Sequence, residues 1–171
     1  LVTPLDLLID LGAGDVEHPG GTLLAHLLRV EARLGEWGAD QAVRRAGLCH
    51  AVYGTDGFGT ALLELSERAV VRRVIGTQAE ELVYFYASCD RGALTADRFR
   101  DRFTGTLHRP RPDLLRSFME ITAANELDVA EHSAEIRRRH GAALSEFFDD
   151  HRALLSEEAA RTCHAFHWTG P

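Results

Sequence analysis

Lysine is absent from this chain: all 19 of its basic residues are arginine. That excludes a Schiff-base lysine and the phosphate-gripping lysine of a P-loop as carriers of any chemistry. Cysteine is scarce, and Cys49, Cys89 and Cys163 form no Cys-x-x-Cys pair. An odd, unclustered set argues against a disulfide framework or a zinc ribbon and predicts a reducing, cytoplasmic setting. No apolar run approaches the ~20 residues that a membrane span needs, so no membrane partner is expected. The opening residues lack the charged-then-apolar pattern of a secretion signal. A basic excess is missing too. The formal net charge is −7, the wrong sign for a nucleic-acid partner. Walker, Rossmann, Ser-His-Asp and zinc-finger patterns do not occur. Helix-breaking prolines are few and sustained period-2 alternation is absent, so strands are not expected.

What is present reads as helix almost throughout. Hydrophobic residues make up 45% of 171 positions, enough for one core, and the patterning predicts a single all-α domain over 1–171 with seven or eight helices. Thr3 and Pro4 start a helix over 3–11. A second, from about Pro19 to Glu36, carries the stripe Leu23, Leu27, Val30 and Leu34, with His26 at its border. Asp40 caps a third over 41–52, in which Val43, Ala46, Gly47 and His50 share a face. Further helices are expected from Thr60 to Gly76, from a Thr77–Glu80 capping box through Cys89, and over 96–102. A long helix from Pro112 to about Val129, with a restart at Ser133 ending before Gly141, is followed by helices near 142–154 and 157–167, the last capped by Ser156.

Two motifs carry candidate chemistry: His18-Pro19-Gly20-Gly21-Thr22 followed by His26, and His50 followed by Tyr53-Gly54-Thr55. Each places an imidazole on or beside an apolar helix face, where an unpartnered polar ring is costly. His26 and His50 lie on consecutive helices expected to pack antiparallel. Asp90, expected on the last turn of its helix in line with Val83 and Tyr86, meets the negative end of the dipole at ~0.3–1 kcal/mol and needs a cation or several donors. Two imidazoles and one carboxylate suit a single divalent Fe, Mn or Zn ion. The alternative is a pair of hydrogen-bonded core histidines and a carboxylate bound to arginine or backbone. His18 and Tyr53 are candidates for proton transfer into the same cavity, or else pack a loop and a helix end. Thr22, Thr55 and Asn125 are candidate substrate contacts; a structural interhelical bond is the other reading of Asn125. Gly20 and Gly21 permit close approach of an anionic ligand, although such turns also occur without one. His108, His132, His140, His151, His164 and His167 read as surface residues, and Cys49 and Cys89 as core filling.

This spacing of an isolated histidine, a second histidine on the next helix and a distant acid resembles the HD-domain superfamily. Its members are helical metal-dependent phosphohydrolases, with some di-iron oxygenases. The resemblance would make His26, His50 and Asp90 metal ligands within a single HD-like helical domain. The acid that follows the motif histidine in that superfamily is Ala51 here, and no histidine pair lies between His50 and Asp90, so a dinuclear centre is not expected. More narrowly, the HPGG start and the HxxYGT element resemble an uncharacterised family of HD-like proteins, over most of the chain through Asn125-Glu126.

Three functions follow as expectations. The first is a small-molecule enzyme using one divalent metal, hydrolytic or iron-dependent oxidative. The second is a metal-free acid–base catalyst, an isomerase, lyase or cyclase. The third is a non-catalytic small-molecule-binding domain. The apolar C-terminal helix ending Phe166-His167-Trp168 is a candidate homodimer contact.

Overall fold

Local capping chemistry sets many of the helix starts. A computed structural model of the chain describes residues 1–95 and 98–170. Thr3 and Asp6 cap each other reciprocally at the head of α1 (Pro4–Asp10). A short hairpin follows, β1 (Glu17–His18) with β2 (Gly21–Thr22), in which His18 pairs with Gly21 around Pro19-Gly20. Gly20 has φ +84°, the conformation that the third position of a type II turn requires after proline. The Thr22 side chain then caps α2 (Leu23–Glu36), so this helix starts four residues later than its periodicity suggests. Asp40 caps α3 (Gln41–Cys49) as expected.

The next helix is shorter than expected. The N–H groups of Leu62 and Leu63 both donate to the Val52 carbonyl, at 2.8 and 3.1 Å, which ties this segment to the end of α3. A single turn over Leu65–Glu67 leads into α4 (Arg68–Ile75). The Thr77 capping box does not form. Gly76 precedes α5 (Thr77–Ser88), and Glu80 turns inward, fully buried, onto Arg68, Arg72 and Tyr53. The expected helix over 96–102 lies partly outside the described residues; Phe99–Arg100 form β3, antiparallel to β4 (Leu107–His108).

Helix α6 (Pro112–His132) is the longest. Ser133 ends it and caps α7 (Ala134–Asp150), which runs straight through Gly141. That glycine serves packing: a Cβ there would sit 1.9 Å from the Trp168 carbonyl oxygen. Ser156 caps α8 (Glu157–Ala165). Trp168 is buried, stacks on Phe148 and donates from its indole to the Cys163 carbonyl at 2.9 Å. Its own chain therefore covers the aromatic ring expected at a dimer contact.

The described residues thus form an all-α bundle of eight helices with two very short strand pairs. Helix α2 packs on α3 and α6, α5 packs on α3, α4 and α6, and α7 and α8 cover the other side of α6. Leu27, Val30, Val83, Tyr86, Phe118, Ile121 and Leu127 lie in the resulting core. No described helix is long and apolar enough to cross a membrane.

Candidate functional site

Helices α2, α3 and α6 bring His26, His50 and Asn125 together. Gly47 lets α2 and α3 approach closely: a Cβ there would fall 2.2 Å from Leu34 Cδ1. The two imidazoles meet edge to face at 5.4 Å between centroids. Both rings are almost fully buried, and each has one nitrogen committed to the scaffold. His26 Nδ1–H donates to Asp128 Oδ2 at 2.6 Å. His50 Nδ1–H donates to the Gly47 carbonyl at 2.7 Å. The remaining nitrogens, both Nε2, each lie 3.1 Å from the same atom, Asn125 Oδ1.

The hydrogen count around that oxygen matters. Burial, aided by His26, pushes the His50 pKa down to about 3, so its ring is neutral near pH 7 and its single proton sits on Nδ1. Its Nε2 therefore presents a lone pair to a carbonyl oxygen, an acceptor facing an acceptor. Asn125 Nδ2 donates to Glu126 Oε1 at 3.2 Å, which fixes the amide with its oxygen toward the rings. His50 Nε2 and Asn125 Oδ1 thus meet as two acceptors, with His26 Nε2 at 3.1 Å from the same oxygen, and three ligand-type atoms grouped in this way, on imidazoles oriented by bonds from their far nitrogens, are able to hold a cation.

Asp128 anchors the arrangement. Arg29 donates to its Oδ1 from Nε at 2.7 Å and to its Oδ2 from Nη2 at 3.0 Å. Burial alone would raise the pKa of this carboxyl, but the bonds from His26 and Arg29 outweigh it and hold the group well below the usual carboxylate range. Asp128 with Glu131 and His132 also forms a loose cluster of ligand-type atoms. Its members are already engaged, Asp128 by His26 and Arg29 and Glu131 by Arg33.

A cavity of about 350 Å³ opens onto His18, His26, His50, Thr55 and Asn125, with Ala51, Arg91 and Glu126 also in its wall. His18 comes from the hairpin and lies against His26 with centroids 4.0 Å apart and planes 27° apart. Burial and the His26 ring lower its pKa to about 4. Its Nδ1 is buried without a partner. The small side chain of Ala51 also lines this cavity.

Three expected site residues lie elsewhere. Asp90 does not join the histidines. Helix α5 ends at Ser88, Cys89 is extended, and Asp90 instead caps the following turn, accepting from the Gly92 N–H at 3.1 Å. The helical continuation that would have carried it toward the rings does not exist, and Arg91 enters the cavity wall in its place. Tyr53 points away from the cavity and donates to Glu80 Oε1 at 3.0 Å. Thr22 caps α2, accepting from the Ala25 N–H at 3.2 Å. Of the histidines read as surface residues, His140 is exposed as expected and lies at the edge of the histidine cavity, whereas His151 is half-buried and lines a second cavity.

Asp128 and Glu126 were missed in the sequence. A usable signal existed: Asn125 is the only asparagine in the chain, and Asn125 and Asp128 stand one turn apart on a helix, as His26 and Arg29 do.

Residues 7–91 match the model of a family described as "Domain of unknown function (DUF6817)". The matched stretch includes both motif histidines and stops before Asn125 and Asp128. Among curated proteins and among solved structures, nothing matches the chain.

Proposed function

We propose that this protein is a small-molecule enzyme whose reaction centre is the histidine cavity, with a single divalent metal held by His26 Nε2, His50 Nε2 and Asn125 Oδ1. One observation carries the reading: a carboxamide oxygen lies 3.1 Å from two imidazole nitrogens whose partner nitrogens are already bonded elsewhere. A cation among these atoms resolves the acceptor-to-acceptor contact of His50 Nε2 with Asn125 Oδ1. The resemblance to HD-domain proteins supports the same reading, with Asn125 in place of the expected acid. The set fits one Fe, Mn or Zn ion and leaves coordination positions open toward the cavity. Such an ion supplies Lewis-acid polarisation of a substrate oxygen or an activated water.

The protein groups divide the remaining work. Asp128, clamped by Arg29, keeps the His26 ring in one tautomer and one orientation. Gly47 does the same for His50. Of the three clustered imidazoles, His18 is the one with no hydrogen bond to the scaffold from its Nδ1, and it accepts or returns a proton at the substrate. Arg91 and Thr55 contact the substrate.

A second reading rests on the neutrality of the donor set, which contains no carboxylate. Here no ion binds, and His50 Nε2 is the proton acceptor of an isomerase, lyase or cyclase.

Metal analysis separates the two. Protein purified without an affinity tag and reconstituted with Mn²⁺, Fe²⁺ or Zn²⁺ is expected to retain about one equivalent, by analogy with mononuclear sites. His26→Ala and Asn125→Ala are expected to lose it. Retention of metal by both variants, or none in the parent protein, overturns the first reading.

A further inference from the structure

The histidine cavity has an apolar neighbour. A second cavity, of about 450 Å³, is lined by Leu115, Phe118, Met119, Leu144, Phe147 and Leu154. Arg91 and Glu126 belong to the walls of both cavities. They form the junction, with Arg91 Nη1 donating to Glu126 Oε1 at 2.9 Å and Nη2 donating to the Tyr86 hydroxyl at 2.8 Å. A guanidinium carries five N–H donors, and these two bonds leave most of them over. The Nε–H is buried with no partner. A cation with donors to spare therefore stands where a polar chamber meets an apolar one, and its planar fork matches a planar anion. Glu126 is the acid that both linings share, and its Oε1 is already taken by Arg91 and Asn125.

We infer that the ligand of this site is an amphipathic acid, with a carboxylate or similar planar anion on Arg91 and a hydrocarbon or aromatic body in the apolar cavity. The inference rests on the reading of the histidine cavity as the reaction centre, and it adds the substrate class. An apolar body of this kind gains by leaving water for a lining of leucine, phenylalanine and methionine.

Met119 is the single methionine of the sequence and lines the apolar cavity, so its ¹³C-labelled methyl resonance reports occupancy. The full chain is titrated with octanoate, 1-octanol and acetate, in EDTA and again with Zn²⁺. Octanoate is expected to shift the Met119 methyl and to bind about tenfold tighter than either comparison compound. Arg91→Gln is expected to reduce octanoate to the level of octanol. Leu144→Trp fills the cavity and is expected to abolish the octanoate response while Zn²⁺ binding persists; it carries the test if Arg91→Gln fails to fold. Equal binding of octanol and octanoate, or an unmoved Met119 methyl, overturns the inference. Octanoate binding without Zn²⁺ binding sinks the metal reading alone, and Zn²⁺ binding without an octanoate response sinks this one alone.

Discussion

The Tyr53 hydroxyl donates to the buried Glu80 Oε1 across 3.0 Å, and the same carboxylate is held by the partly exposed Arg68 and Arg72. The tyrosine of the HxxYGT element is thereby a structural bond between the end of α3 and the start of α5. Tyr53→Phe is expected to cost about 1 kcal/mol of stability, the net worth of one such hydrogen bond. Metal content and ligand affinity are expected to stay at the parent level. Denaturant melts and metal analysis on the same preparation check both halves.

Glu80 gives a pH signature. Burial raises its pKa, but bonds from Arg68 and Arg72 outweigh that and leave it below its ordinary value. A depressed carboxyl contributes stability above its unfolded-state pKa and loses it as pH falls through the folded-state one. Glu80→Gln is expected to be less stable than the parent by about 2 kcal/mol at pH 7, a figure kept low because both arginines are partly exposed. The gap closes as pH falls below the ordinary carboxylate range. Urea denaturation of both proteins at neutral and acidic pH measures it.

Asn125→Asp would turn a neutral donor set into two imidazoles and a carboxylate. Affinity for Mn²⁺ or Zn²⁺ is expected to rise at least tenfold, about 1.4 kcal/mol. Calorimetric titration of the chelator-stripped protein decides this, and an unchanged or weaker affinity places the ion elsewhere.

Gly141→Ala is expected to destabilise by about 2 kcal/mol or more, because the new methyl meets the Trp168 carbonyl, which is backbone and cannot swing aside. Near-ultraviolet circular dichroism of the Trp168 region, followed through thermal melting, reports the loss.

Local chemistry was legible in the sequence, and long-range pairing was not. Thr3, Asp40 and Ser156 cap their helices because a side-chain oxygen three residues before a free N–H is a purely local arrangement. The convergence of His26 with His50 could be read from helix periodicity and consecutive packing. The place of Asp90 could not. Helix α5 stops where Cys89 bridges to Asp101 and the Asp90 N–H reaches the Arg100 carbonyl at 3.0 Å, contacts that no local pattern encodes. Gly141 misled for a related reason: a glycine demanded by a neighbouring backbone looks the same in sequence as one that ends a helix. Asp128 escaped because its partners, His26 and Arg29, lie on an element about a hundred residues earlier.

On α2, His26 and Arg29 stand one turn apart; on α6, Asn125 and Asp128 do the same. His26 and Arg29 both hold Asp128, with Asn125 set against the His26 ring, and sliding either helix along the other would break the three bonds to Asp128 together. Whatever molecule seats itself among these side chains thus also clamps the bundle's two central helices. Occupancy will show up as a raised melting temperature of the entire chain, which turns thermal-shift screening of small acids and metal salts into a direct search for the physiological ligand.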